Sequence, residues 1–557
     1  MDDISRRLES LLNAAGKRTA NAAGKQPANA ASKQPAPPSP GRILVYITRD
    51  GTYIALEGCP KSVQARIRAC FTIKDTMITG AVRTTTQYTA CMGRLLIPRF
   101  GAFLLRQKFD VEYHCAMRLR NPAPLSYKGE FHGNQELVFN EIMSKHMTAE
   151  RRDAGRAGLI LNLKAGMGKS FLAMELIGHL KCRTLIIVHN KNILHQWEEL
   201  VEEWLAHDVP SCADGVPSAR DAPSLVGVYY GDRKRDGAVV IGVINSLVSM
   251  DPVAAREFFA RFDMTILDEA HLYCSKEHSK IYSICQTPYM LGLSASPENR
   301  ADNLDRITKW GIGPVLNAAE LPGYTEAHIP FKGEVHQIQY HGPDEYTQQI
   351  ISVKLEMVSA PMMVDQFTRD PYRTALVVRE TLALWGMGHN VFVFADRREY
   401  LTEIAEGLTA GQQATQPAGQ PAIFESSKTI RFLTNHEELK AIRLVGGSTA
   451  AEMEEAKACG NIILTTYQYM GTGCSIPKMN AMVLATPRKT GSEQTINRIF
   501  RLGSDYSITR RIVDIVDWRT SLKRQWYERN AYYKSQKFEL IKRVVKWSEL
   551  ADDVHPR

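Results

Sequence analysis

Two short runs of this chain carry residue types that handle phosphates and water. The first, Leu159-Ile-Leu-Asn-Leu-Lys-Ala-Gly-Met-Gly-Lys-Ser170, reads as an apolar strand that breaks into a glycine turn and resumes as a helix from Phe171 to Leu180. In such a turn the backbone N–H groups of Ala165, Gly166, Met167 and Gly168 can close around phosphate oxygens, and the helix start favours anions. Lys169 would add a point charge at the outer phosphates, and Ser170 a hydroxyl for Mg²⁺. Leu163 stands where the longer form of this pattern has its first glycine. The second run, Met264-Thr-Ile-Leu-Asp-Glu-Ala-His271, ends an apolar strand with two carboxylates and a histidine. Asp268 can hold Mg²⁺ through water, and Glu269 can orient and deprotonate an attacking water, with His271 beside them. The chemistry these residues share is hydrolysis of a nucleoside triphosphate.

The surrounding pattern supplies strands to hold them. Short β-rich runs at 157–163, 183–189, 238–243, 264–267 and 290–293 alternate with helical stretches, which argues for a parallel sheet covered on both faces. A second set at 390–394, 441–445, 461–465, 481–485 and 511–516 predicts a second α/β domain, with 409–422 as a surface loop inserted in it. Upstream, Ile43, Val45 and Ile47 alternate into Arg49-Asp50-Gly51, a hairpin signal that opens a small α+β domain.

With these elements in place, the chain resembles a superfamily 2 DExH-box helicase from about residue 130 to 505. Asn190-Lys-Asn-Ile-Leu-His-Gln-Trp197 resembles motif Ia, and Ile241 to Leu247 the next motif that faces nucleic acid. Gly292-Leu-Ser-Ala-Ser-Pro297 resembles motif III, with Ser296 keeping the usual hydroxyl, and Val391-Phe-Val-Phe-Ala-Asp396 resembles motif IV. Thr465-Thr-Tyr-Gln-Tyr-Met-Gly-Thr-Gly-Cys-Ser-Ile-Pro477 resembles motif V, and Gln494-Thr-Ile-Asn-Arg-Ile-Phe-Arg501 motif VI. The resemblance implies two tandem RecA-like parallel-sheet domains that bind ATP and Mg²⁺. It implies that Gln135 contacts adenine, that Gln494, Arg498 and Arg501 complete the catalytic set, and that the two arginines reach the γ-phosphate. It also implies nucleic-acid contacts by Asn190, Lys191, Gln196, Trp197, Ser246, Thr466 and Gly471. Two positions depart from the pattern: Asn497 replaces a glycine in motif VI, and Ser475 an aspartate in motif V. Hydrolysis is therefore expected more firmly than processive unwinding. The wording of GTGCSIP, HNKNILHQW and the terminal DWRTSLKRQWYERNAYY is most similar to the transcript-release helicases of poxviruses and related large cytoplasmic DNA viruses. That likeness implies 3′ to 5′ movement along DNA or RNA, a role in transcription or repair, and RNA polymerase or transcription factors as partners. A duplex-translocating remodeller and a scaffold subunit with a vestigial ATPase are the alternatives.

Length and composition fit this frame. At roughly 150 residues per domain, 557 residues predict three or four folding units, and 44% hydrophobic residues give each a core. The apolar runs are too short to cross a bilayer, so no membrane partner is expected. The ten cysteines are scattered, as free thiols of a reducing intracellular compartment would be; for a viral protein that means host cytoplasm and virion. The net charge of +9 is concentrated at the ends: residues 1–42 hold seven Lys/Arg against three Asp/Glu, and residues 517–557 ten against six. An octapeptide repeated over 13–36, followed by PAPPSPG, predicts a disordered basic tail over 1–41. The expected order is then an accessory α+β domain over 42–127, the ATP-binding domain over 128–325, a linker over 326–371, the second helicase domain over 372–517 and a helical extension over 518–557. In that extension Leu522, Trp526, Arg529 and Tyr533 share a helical face, read as packing in preference to base stacking.

Overall fold

The computed structural model describes residues 42–76, 82–163, 167–207, 224–295, 303–325, 331–352, 357–413, 423–426, 429–433, 438–471, 476–488, 492–500 and 505–554. The tail expected over 1–41 lies outside them. The chain divides into two compact units, Met1–Glu326 and Ala327–Arg557.

The first unit begins with a five-stranded sheet. Its strands are β1 (Ile43–Thr48), β2 (Gly51–Ala55), β3 (Thr89–Cys91), β4 (Arg94–Ile97) and β5 (Val111–Ala116), in the order β3-β4-β2-β1-β5. β1 and β2 form the hairpin announced by Asp50-Gly51, and β5 adds parallel to β1. Val45, Ile47 and Ile54 are buried, and they share one hydrophobic core with Leu185, Ile187 and Val240 of the following domain. Arg49 fixes the seam, pairing with the buried Asp263. That carboxylate also accepts from the backbone N–H groups of Arg120 and Asn121, at 2.9 and 2.6 Å. The described residues of 42–127 thus form an added layer on the sheet that follows and share its core.

The larger sheet of this unit holds β6 (Gly158–Asn162), β7 (Thr184–Val188), β8 (Val226–Tyr230), β9 (Arg233–Arg235), β10 (Val239–Val243), β11 (Met264–Leu267), β12 (Tyr289–Ser294) and β13 (Val315–Asn317). Their order is β9-β8-β10-β7-β11-β12-β6-β13, and all pairs are parallel except β8 with the edge strand β9. Every residue of β7, β10, β11 and β12 is buried, which is why these runs are apolar without alternation.

The second unit is built on β14 (Gly333–His341), β15 (Val391–Ala395), β16 (Ile423–Ser426), β17 (Thr429–Leu433), β18 (Glu438–Leu444), β19 (Ile462–Thr466), β20 (Ala481–Leu484), β21 (Arg510–Asp517) and β22 (Glu539–Lys546). They form one sheet in the order β16-β17-β18-β19-β15-β20-β21-β14-β22, parallel from β18 onward. Three sequence expectations change here. The stretch 326–371, read as a linker, contributes β14, and the extension 518–557, read as helical, contributes β22 beside it. β14 hides in the sequence because Glu334, His336, Gln337 and Gln339 interrupt its apolar residues. β22 hides because it is a charged edge strand. The loop expected over 409–422 does not begin at Thr409: the helix Arg398–Gln413 covers 409–413, and 414–422 lie outside the described residues. Among the described residues seven cysteines are free thiols, and no helix is long and apolar enough to cross a membrane.

Candidate nucleotide-binding site

The residues singled out in the first unit meet at the carboxyl ends of four adjacent strands, β7, β11, β12 and β6, where open parallel sheets bind ligands. β6 runs into the glycine turn, and α2 (Lys169–Leu180) follows it. Ala165 and Gly166 lie outside the described residues. Gly168 has φ +84°, a left-handed conformation, and a Cβ there would come 2.1 Å from Nε2 of Gln135. Glycine at this position therefore serves both the turn and the approach of Gln135. That glutamine opens α1 (Gln135–Glu141), and its Oε1 accepts from the His132 N–H at 2.9 Å. Met167, Lys169 and Ser170 are partly exposed at the start of the helix.

Asp268 and Glu269 follow β11 directly. Glu269 has φ +48°, uncommon for a residue with a side chain and a strain typical of functional sites. Its Oε2 is buried and lacks a hydrogen-bond partner, although His271 Nδ1 stands 3.4 Å away. The same His271 Nδ1 lies 3.0 Å from the hydroxyl of Ser294, at the end of β12. In motif III, then, it is the Ser294 hydroxyl that meets His271, whereas Ser296 lies outside the described residues.

Asp268 has an unexpected brace. The indole N–H of Trp197 donates to its Oδ2 at 2.9 Å, and Trp197 is 2% exposed. This corrects the expectation that Trp197 faces nucleic acid. On α3 (Lys191–Trp204), Ile193, Trp197 and Val201 recur every four residues and form the buried stripe, a spacing that was readable in the sequence. Burial and the adjacent Glu269 carboxylate push the Asp268 carboxyl above its ordinary value, while Trp197, Lys169 and His189 pull it down. His189, at the end of β7, is itself held below the usual imidazole range by burial. His189 and Ser294 had no assigned role in the sequence reading, and Trp197 had a different one.

The donor set suits a hard divalent cation. A hydroxyl, one carboxylate and an orphaned carboxylate oxygen leave room for the waters and phosphate oxygens that Mg²⁺ retains.

Other candidate residues are more dispersed. The Asn190 side chain caps α3, accepting from the Ile193 N–H at 3.0 Å. Lys191 is exposed, with its ammonium 5.4 Å from the centre of the Tyr230 ring. Gln196 is partly exposed. The Ser246 hydroxyl accepts from the Gly231 N–H at 3.2 Å. In the second unit Thr466 is nearly buried, with its hydroxyl accepting from the Tyr469 N–H at 3.2 Å, and Gly471 ends the helix Tyr467–Gly471. Gln494 lies on α4 (Ser492–Ile496), and Arg498 on the 3₁₀ turn Asn497–Ile499 that continues it. Both are partly buried. Arg501 and Ser475 lie outside the described residues.

Comparison with known proteins agrees with this geometry. Residues 129–299 match the family model described as Type III restriction enzyme, res subunit. The protein QP509L of African swine fever virus, named for an ATP-dependent RNA helicase, is 28% identical over 516 residues, covering 90% of this chain and 88% of that one. The protein L396 of Acanthamoeba polyphaga mimivirus, named likewise, is 23% identical over 432 residues, covering 76% and 71%. The DNA 3′-5′ translocase XPB2 of Sulfurisphaera tokodaii is 28% identical over 167 residues, covering 29% of this chain and 33% of that protein. The chain therefore carries a helicase-family domain over residues 129–299, and its likeness to helicases of large DNA viruses supports a nucleic-acid-dependent ATPase.

Proposed function

We propose that the chain hydrolyses ATP with Mg²⁺ at the carboxyl edge of the first parallel sheet and uses the cycle to move 3′ to 5′ along a nucleic-acid strand. The observation that carries this reading is the convergence of Lys169, Asp268, Glu269, His271 and Ser294 on that edge, with the buried Oε2 of Glu269 lacking a hydrogen-bond partner and facing His271. In this reading Lys169 neutralises the outer phosphates, and Ser170 and Asp268 hold the metal, which supplies charge compensation at the β- and γ-phosphates. Glu269 orients the attacking water and takes its proton. His271 ties Glu269 to Ser294, so that changes at β12 reach the catalytic carboxylate. Gln135 reads adenine beside Gly168, while Arg498 and Arg501 supply planar donors to the developing charge. Asn190, Lys191, Gln196, Ser246, Thr466 and Gly471 remain the proposed strand contacts.

The likeness to viral relatives named for RNA helicases supports a role at transcripts, with RNA polymerase or its factors as partners and the host cytoplasm as the place of action. The partial likeness to a named 3′-5′ translocase supports the direction. The test is ATP turnover measured side by side with single-stranded DNA, duplex DNA, RNA and RNA–DNA hybrid. The transcript role expects RNA or hybrid to stimulate most. Stimulation by duplex DNA alone would replace it with duplex translocation.

A further inference from the structure

At the other edge of the first sheet lies a cavity of about 600 Å³, bounded by the accessory sheet and the segment that leads into β6. Its walls include Arg106, Lys145, Arg151 and Arg156, the rings of Phe103 and Tyr113, and one carboxylate, Glu150. Arg156 lies 4.5 Å from the centre of the Phe103 ring, and Arg106 lies 5.1 Å from that of Tyr113. No ion pair involves Arg106, Arg151 or Arg156 among the described residues, and Nε of Arg151 is buried without a hydrogen-bond partner. Lys145 alone is paired, with Glu141 at 3.0 Å, and remains largely exposed. The wall is closely fitted: a Cβ on Gly155 would come 2.9 Å from Ile47 and 3.0 Å from the Cys115 sulfur.

The buried Nε of Arg151 is costly to leave unpaired, and an anion in this half-enclosed space would complete it while meeting the partly buried Arg156 and the exposed Arg106. Layering on aromatic rings holds Arg106 and Arg156 in place, and planar guanidiniums match phosphate oxygens in pairs. Arg156 precedes the amino end of β6, whereas the glycine turn follows its carboxyl end, so the cavity stands roughly 20 Å from the nucleotide site at strand rise per residue. A strand held here is not in contact with the residues proposed for hydrolysis.

We propose that this cavity is a second nucleic-acid site, gripping the phosphodiester backbone of a single strand through Arg106, Arg151 and Arg156, with Lys145 at its mouth. It would hold the track while the motor cycles. The proposal rests on the chain's dependence on nucleic acid and is independent of the residues assigned to hydrolysis.

The test is fluorescence anisotropy of the full chain with labelled oligo(dT) and oligo(rU) of about 20 nucleotides over a salt series. Relative to wild type, Arg106→Ala/Arg151→Ala/Arg156→Ala should bind at least about tenfold more weakly, with a salt slope shallower by about 2, three phosphate contacts at ~0.7 each. Changing the same three arginines to lysine should keep most of the slope. Saturated ATP turnover should stay at the wild-type value while the strand concentration for half-stimulation rises. Arg106→Glu, a single change at an exposed position, should weaken binding comparably and serves if the triple variant folds poorly. Unchanged affinity and slope in the alanine and glutamate variants, with wild type binding normally, would overturn the proposal. So would displacement of the strand from this site by millimolar AMP, which would make the cavity a mononucleotide pocket. A wild-type chain that bound neither oligonucleotide would instead refute the wider reading.

Discussion

At the residue scale the decisive contact is the indole of Trp197 on Asp268. A hydrogen bond donated to a carboxylate favours its charged form, the form that can hold a metal, and so counters the upward push of burial and Glu269. Trp197→Phe keeps the buried ring and removes the donor. Asp268 should then protonate at still higher pH, moving the acid limb of the turnover profile upward and raising the Mg²⁺ concentration for half-maximal rate. A pH profile superimposable on wild type would show that the indole only fills space. Folding obeys the same sign. A carboxyl whose folded pKa lies above its unfolded value lowers stability once the pH passes both, so Asp268→Asn should raise the melting temperature near neutral pH while turnover is lost. The sequence displayed Lys169, Asp268 and Glu269 openly because their chemistry requires those residue types at a strand end. It did not display Trp197 as a brace, because the contact joins two segments 71 residues apart.

At the element scale the second unit depends on its last helix, α5 (Arg524–Ser535), more than its position near the chain end suggests. Trp526, Arg529 and Tyr533 are buried, as the packing reading expects. Arg529 forms a two-pronged pair with Asp514 of β21, at 2.7 and 2.8 Å, and its Nη1 donates to the Arg488 carbonyl at 2.8 Å. Tyr533 donates to the same carboxylate at 2.9 Å. Arg529→Met would leave Asp514 buried and undercompensated, at a cost of about 3–5 kcal/mol. Chemical denaturation should register that loss, and adding Asp514→Leu should restore much of it. A loss below about 1 kcal/mol would show that the pair is solvated or replaceable. One turn along, the Tyr532 hydroxyl donates to Asn497 Oδ1 at 2.5 Å, so the residue that departs from the family glycine has a partner built for it. Asn497→Gly should therefore destabilise the unit by about 1–3 kcal/mol, since a largely buried hydroxyl loses its acceptor. A thermal melt that coincided with wild type would contradict this.

At the scale of the whole molecule, the buried strands of both large sheets were legible because residues enclosed on two faces leave a continuous apolar run. β14 and β22 were not, since one mixes polar residues into its pattern and the other is an exposed, charged edge. The accessory sheet was legible as a hairpin but not as a layer sharing its core with the ATP-binding domain, because that contact links residues such as Ile47 and Ile187 far apart in the chain. The basic segment 1–41 belongs to this scale as well. Its lysines and arginines add salt-sensitive phosphate contacts, so its deletion should flatten the salt dependence of strand binding and leave saturated turnover unchanged. A fall in saturated turnover would show that the segment acts on the motor itself. The central claim is that one chain couples nucleic acid to ATP hydrolysis through the carboxylates after β11, and single-turnover hydrolysis by wild type and Glu269→Gln, with and without strand, addresses it most directly. Wild type should be strongly stimulated by strand, and Glu269→Gln should bind ATP normally yet hydrolyse it ~10² to 10⁴ times more slowly. Hydrolysis by Glu269→Gln within a few-fold of wild type, or a wild-type rate indifferent to nucleic acid, would contradict the account.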